Sequence, residues 1–299
     1  MAQLQNPDTS SYRSQGALQP ASSVSRFVVA GGVQLHYLDY GIDTEARGLP
    51  AMLCVHGGAA HGHWFDYVAP GFSRDYHVRS VDQRGHGESA WADPPVYSYE
   101  RLAADLAEVT EKLDLRDFVL IGHSMGGTVC LLYAATYPGR VGRLIVVDST
   151  LQMTEERVAR LRDVGSRQGS SYATREELVT RFRLRPGDAS MAAPEVVRHI
   201  AQHSARQFED GSWRHRFDRN VYALRETKDG LPCWNQIKIP ALLVKGQRSQ
   251  RISAEVYAEV KRRCPQVELA EVPNSDHHVT LDNPAGFVHA VKAFLAKHP

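Results

Sequence analysis

Short apolar runs rich in β-branched residues alternate along the chain with longer stretches in which apolar positions recur every three or four residues. The short runs, beginning just after Ser25, are RFVVA, VQLHYLDY, AMLCVHG, HVRSVDQ, FVLIGHS, RLIVVDS, ALLVKGQ and VELAEVP, and they predict eight strands. Helical spacing fills the gaps, as in Tyr99 to Leu113, with Leu102, Leu106, Val109 and Leu113 on one face, and in Met125 to Tyr137, stopped by Pro138 and Gly139. Strands alternating with helices predict an α/β fold with a mostly parallel sheet covered on both faces. Gly31 and Gly32 between the first two runs predict a tight hairpin, so the sheet opens with an antiparallel pair at one edge.

The alternation fails between residues 150 and 236. There the segments MTEERVARLRDVG, TREELVTRF and APEVVRHIAQHSARQF have helical spacing, and no convincing strand lies among them. This stretch predicts a helical cap inserted into a core built from residues 25–149 and 237–299. Residues 1–24, rich in Gln, Ser, Ala and Pro without a period, predict a poorly ordered tail.

Composition narrows the function classes. In 299 residues, 35 lysines and arginines balance 34 aspartates and glutamates, so there is no strong field for nucleic acid or an anionic membrane. No run approaches the roughly 20 apolar residues of a membrane span, and no secretion signal opens the chain, which predicts a cytoplasmic protein. The four cysteines lack zinc or redox spacing and are expected as reduced thiols. Neither a metal-ligand spacing nor a dinucleotide or Walker fingerprint is present, so no cofactor and no metal are expected. Nothing in the pattern points to an oligomeric state.

The candidate chemistry starts at FVLIGHSMGGTVCLLYAA, where Gly122, His123, Ser124, Met125 and Gly126 fall between a strand and a helix. This is the G-x-S-x-G pattern in the context its mechanics need: a serine on a sharp turn, with glycines where side chains would collide with backbone. The helix opening at Met125 aims free N–H groups at the site, so the Met125 N–H is one expected oxyanion donor. The loop LCVHGGAAHGHW supplies the second, with Gly58, or its neighbour Ala59, as donor and His56 as a brace. A serine hydroxyl needs a base to take its proton, and the loop after the last strand offers two adjacent histidines, His277 and His278.

From Phe27 to its C-terminus the chain resembles the α/β-hydrolase fold superfamily, with the cap diverged. The resemblance implies a base five positions before an acidic residue and seven before a proline; Asp282 and Pro284 match from His277, which is preferred over His278. It also implies an aspartate in the loop after the seventh strand, but that loop, LLVKGQRSQRISAE, holds Ser249 and Gln250. Some relatives carry the acid after the sixth strand, where this chain has Asp148. The triad expected is therefore Ser124, His277 and Asp148; a capping or bracing role for Asp148, a dyad with no acid, and an altered acid position in a variant chain stay open. Asp82, Arg84, Gly85, Gly87 and Ser89, in DQRGHGES, are expected to shape the neighbouring loop.

The expected reaction is acyl transfer on a small ester or related acyl substrate, as by a carboxylesterase. Lactonases, amidases, perhydrolases and carbon–carbon hydrolases share this triad type, and a ligand receptor with a hydrolase fold is the rival class. Epoxide hydrolases and haloalkane dehalogenases need a carboxylate where Ser124 stands. His63, Trp64 and His123 are substrate-contact candidates, as are His61, Trp213, Phe217 and Tyr222, each weighed against a packing role.

Overall fold

The computed structural model describes residues 19–41, 47–185 and 190–299. Most of the tail expected over 1–24 lies outside the described residues, and the first strand begins at Val24.

All eight expected strands form one sheet: β1 (Val24–Ala30), β2 (Val33–Asp39), β3 (Ala51–Val55), β4 (His77–Val81), β5 (Phe118–His123), β6 (Val141–Val147), β7 (Ala241–Gly246) and β8 (Glu268–Val272). Their spatial order is β1-β2-β4-β3-β5-β6-β7-β8. Only β2 runs against the others, antiparallel to both β1 and β4. Gly31 and Gly32 turn the first hairpin with φ of 57° and 74°, a conformation that costs glycine nothing and other residues strain.

Strand alternation sorts side chains into two cores. Leu53, Val55, Leu120, Leu144, Val146 and Leu243 face one side and pack against helices α1 (Tyr99–Lys112) and α2 (Met125–Thr136) through Leu102, Leu106 and Val129. Met52, Cys54, Ile121, Ile145, Val147 and Val244 face the other and meet Phe287, Val291 and Phe294 of the C-terminal helix Pro284–Leu295. Burial on both faces is why these strands read as continuous apolar runs. Ser98 caps α1 by accepting the Arg101 N–H. None of the four cysteines is bridged, and three are buried.

Residues 150–236 leave the sheet after β6 and return before β7. They carry helices α3 (Glu155–Ser166), α4 (Arg175–Arg181) and α5 (Pro194–His203), as expected. The expectation that this stretch holds no strand is corrected. Gln152–Met153 pairs with Lys228–Asp229, and Ala205–Gln207 pairs with Trp213–His215. These ladders of two and three residues are too short to show alternation in the sequence.

Candidate active site

The nucleophile candidate sits where strand becomes helix. Ser124, between β5 and α2, has φ 53° and ψ −119°, a strained conformation for a residue with a side chain. Backbone crowding explains the glycines around it: a Cβ on Gly126 would lie 2.4 Å from the carbonyl oxygens of Val55 and His56, and one on Gly122 would lie 2.4 Å from that of Gly126. Gly57 approaches closely as well, since a Cβ there would stand 3.0 Å from the Ser124 Cβ. The loop after β3 and the candidate nucleophile therefore lie against each other.

The loops at the carboxyl ends of β6 and β8 bring the other two candidates together. His277 Nδ1–H donates to Asp148 Oδ2 at 2.8 Å, and both side chains are buried. Ser249 Oγ donates to the same oxygen at 2.7 Å, and Arg251 Nε stands 3.8 Å from it. Thus the loop that lacks a carboxylate supplies a hydroxyl and a guanidinium to a carboxylate held by the neighbouring strand. Burial pushes the Asp148 carboxyl up to about 6, against the lowering effects of Ser249, His123 and Arg251. Burial also holds the His277 imidazole well below its ordinary value, with His123 and Arg251 acting in the same direction. Replacing Arg251 by glutamine removes a cation that opposes protonation of both groups. The acidic limb of the kcat/KM profile is then expected to move up by about half to one pH unit; an unmoved limb would detach Arg251 from this pair.

His278 is buried beside its neighbour, with ring centroids 5.0 Å apart, while His277 alone of the two reaches Asp148. The position of Asp282 explains the spacing used to choose between them. Its Oδ2 accepts the Asp276 N–H at 2.8 Å and its Oδ1 accepts from Ser190 Oγ and the Met191 N–H, so it fixes the histidine loop to the capping segment.

His123, expected against substrate, is 2% exposed and donates from Nε2 to the His277 carbonyl oxygen at 2.8 Å. It links the Ser124 turn to the His277 loop, and burial lowers its pKa to about 4, keeping the ring neutral. The hydrogen bonds of the described residues include none from the Ser124 hydroxyl to His277, so this backbone link and the ring contact of 4.8 Å between His123 and His277 hold the two candidates in place. Catalytic hydrogen bonds of this type commonly tighten only with substrate.

Trp64, on the 3₁₀ turn Gly62–Phe65, is 4% exposed and set edge-on to His61. His61 bonds Ser204 Oγ at 2.9 Å, a packing role. His63 points away from the core instead and joins a second cluster. Asp66 Oδ2 accepts from His63 Nδ1 at 2.8 Å and from His199 Nε2 at 2.7 Å, and the His203 ring stacks on His63 with centroids 3.5 Å apart.

Gly58 lies under the capping segment: a Cβ there would come within 3.0 Å of the Tyr222 ring, which packs on Phe217 at 5.7 Å. Beside Met125, Arg225 is 3% exposed and places Nη2 2.7 Å from the methionine sulfur, with its guanidinium 5.1 Å above the Tyr99 ring centroid. The loop after β4 holds its shape through Asp82, which accepts from the Gly62 and Glu88 N–H groups and from His36 Nδ1. His56 braces the loop after β3, donating from Nδ1 to Gly57 O at 2.7 Å and accepting the Gln83 N–H at Nε2 at 3.0 Å.

The site thus sets a strained serine at a strand-to-helix turn beside a buried His–Asp pair from the loops after β6 and β8. The family model for the alpha/beta hydrolase fold matches residues 50–284. The chain belongs to this family. It is 30% identical over 271 residues to an sn-1-specific diacylglycerol lipase of Mus musculus, covering 85% of this chain and 83% of that one. An esterase of Mycobacterium tuberculosis is 29% identical, over 82% of this chain and 83% of its own. A 2-(acetamidomethylene)succinate hydrolase of Mesorhizobium japonicum is 28% identical, over 91% and 95%. The crystal structure of an E-2-(acetamidomethylene)succinate hydrolase superposes with a TM-score of 0.78 at 24% identity, covering 92% of this chain and all of that one, a likeness of fold. The chain is thus a hydrolase with esterase and lipase relatives. Among the described residues no helix is long and apolar enough to cross a membrane.

Proposed function

We propose that this α/β-hydrolase cleaves a carboxylic ester or lactone through an acyl-enzyme on Ser124. The observation that carries the reading is the 2.8 Å hydrogen bond from His277 Nδ1 to a fully buried Asp148 carboxylate. That bond leaves Nε2 as the basic nitrogen, the tautomer a general base for a serine requires. Ser124 attacks the carbonyl carbon while His277 takes the hydroxyl proton, and the Met125 and Gly58 N–H groups receive the oxyanion. His277 then returns the proton to the leaving alcohol, and water, deprotonated by His277, releases the acid and restores the serine. The Arg225 charge beside Met125 adds to the field that favours the oxyanion. Hydrolase relatives named esterase and lipase support the ester reading.

A second reading, an acyl substrate that itself bears a carboxylate, is favoured by Arg225, a buried guanidinium for which no salt bridge is found among the described residues. One panel tests both: p-nitrophenyl esters from acetate to octanoate, with a p-nitrophenyl half-ester of a dicarboxylic acid beside them. Saturable turnover of the neutral esters is expected, and a KM at least tenfold lower for the anionic half-ester identifies the second reading. Failure of every ester would overturn ester hydrolysis.

A further inference from the structure

We propose that His63, Asp66, His199 and His203 form a binding site for a divalent transition-metal ion of the zinc class, clamping the capping segment to the sheet domain. One ligand atom from each residue lies within 4.8 Å of every other. Two of the four, His63 and Asp66, come from the 3₁₀ turn after β3 and the residue capping it. The other two sit one turn apart on α5, the i, i+4 spacing that puts two imidazoles on one helix face.

The donor set is three imidazoles and one carboxylate, which suits a borderline-soft divalent ion and four-fold coordination. Ligands about 2.0–2.2 Å from a tetrahedral ion stand about 3.4 Å from one another. The bonds from His63 and His199 to Asp66 Oδ2, at 2.8 and 2.7 Å, are roughly 0.6–0.7 Å shorter than that spacing, and the ion replaces the shared protons at the centre. Support for the ligands is already built. Tyr40 Oη donates to the outer carboxylate oxygen, Asp66 Oδ1, at 2.7 Å, the kind of partner that orients a ligating carboxylate. Tyr67 packs edge-on against His199 at 5.3 Å. An entry path exists too, because the His63 and His199 side chains keep 21% and 18% exposure while Asp66 keeps 3%.

The chemistry differs from that of the Ser124 site. All four ligands are protein groups on two elements, an arrangement that fastens rather than catalyses, since structural zinc sites are closed and catalytic ones keep a position open. The interface fastened this way already carries the bond between His61 and Ser204, the residue after α5. A metal here limits how far α5 can swing from the core, and with it the cap.

The test is metal binding to the full chain stripped with chelator. Zn²⁺ is expected to bind at one equivalent with micromolar or tighter affinity by calorimetry, and to raise Tm by about 5 °C or more at a hundredfold excess over Kd. His199→Gln and His203→Gln are each expected to weaken that binding at least about 100-fold. Unchanged affinity in both, or no saturable binding to the wild-type chain, overturns the proposal. Should either variant fold poorly, anomalous scattering from Zn²⁺-soaked wild-type crystals decides: a peak among the four side chains is expected, and a peak elsewhere or none overturns it.

Discussion

Ser124→Ala is expected to lower ester turnover by about 10⁴- to 10⁶-fold and to abolish covalent labelling by a fluorophosphonate. The loss is large because the covalent route disappears entirely, leaving only the oxyanion donors and substrate binding to act on a direct attack by water. Two features make the change a clean one. Alanine keeps the Cβ that already stands at φ 53°, so the backbone strain at the turn is unaltered. No hydrogen bond from the Ser124 side chain to another described residue is lost, because the contacts that fix the turn run to its main chain: the Ser124 N–H to the Val147 carbonyl oxygen at 2.9 Å, and the Gly127 N–H and Ser149 Oγ to the Ser124 carbonyl oxygen at 3.0 and 2.7 Å. An unchanged circular dichroism spectrum and Tm should accompany the lost turnover. Persistent labelling in this variant would move the nucleophile to another residue.

Legibility in the sequence followed the length over which a pattern could repeat. Strands β3 (Ala51–Val55) and β5 (Phe118–His123) are buried on both faces, and short apolar runs bounded by turn residues define them without help from the fold. The nucleophile turn was legible because backbone crowding dictates glycine on both sides of Ser124. Two-residue ladders such as Gln152–Met153 with Lys228–Asp229 have no such statistics and exist only because the capping segment folds back on itself. The same holds for ligands that meet across the chain. His63 and Asp66 lie some 135 positions from His199 and His203. Here the one local signal was the pair His199 and His203 on a helical segment, which reads as an amphipathic face until the partner turn is known. Trp64 and His123 are substrate-contact candidates only through their sequence neighbours, the loop after β3 and Ser124. The sequence does not show which way such side chains point; Trp64 lies on a 3₁₀ turn and His123 at the buried end of β5.

Asp148→Asn is expected to cut kcat by about 10³- to 10⁴-fold while the fold stays intact. The argument rests on how many hydrogens converge on one carboxylate oxygen. Asp148 Oδ2 accepts from both His277 Nδ1 and Ser249 Oγ, with the Arg251 cation 3.8 Å away. An asparagine has two ways to sit. With its oxygen in that place both hydrogen bonds survive, but the charge that stabilises the imidazolium in the transition state is gone. With its amide nitrogen there, it donates to Nδ1 and forces the proton onto Nε2, the nitrogen that has to accept from Ser124. Either outcome spares substrate binding, so kcat falls more than KM changes. Fluorophosphonate labelling should be slowed rather than abolished, which separates this variant from Ser124→Ala. Acidification acts on the same carboxylate: burial has raised it to about 6, so wild-type activity is lost as pH falls through that region while the Asp148→Asn residual loses this component. Near-wild-type turnover in Asp148→Asn would reduce Asp148 to a brace for the Ser249 loop and leave the base to work as a dyad with Ser124.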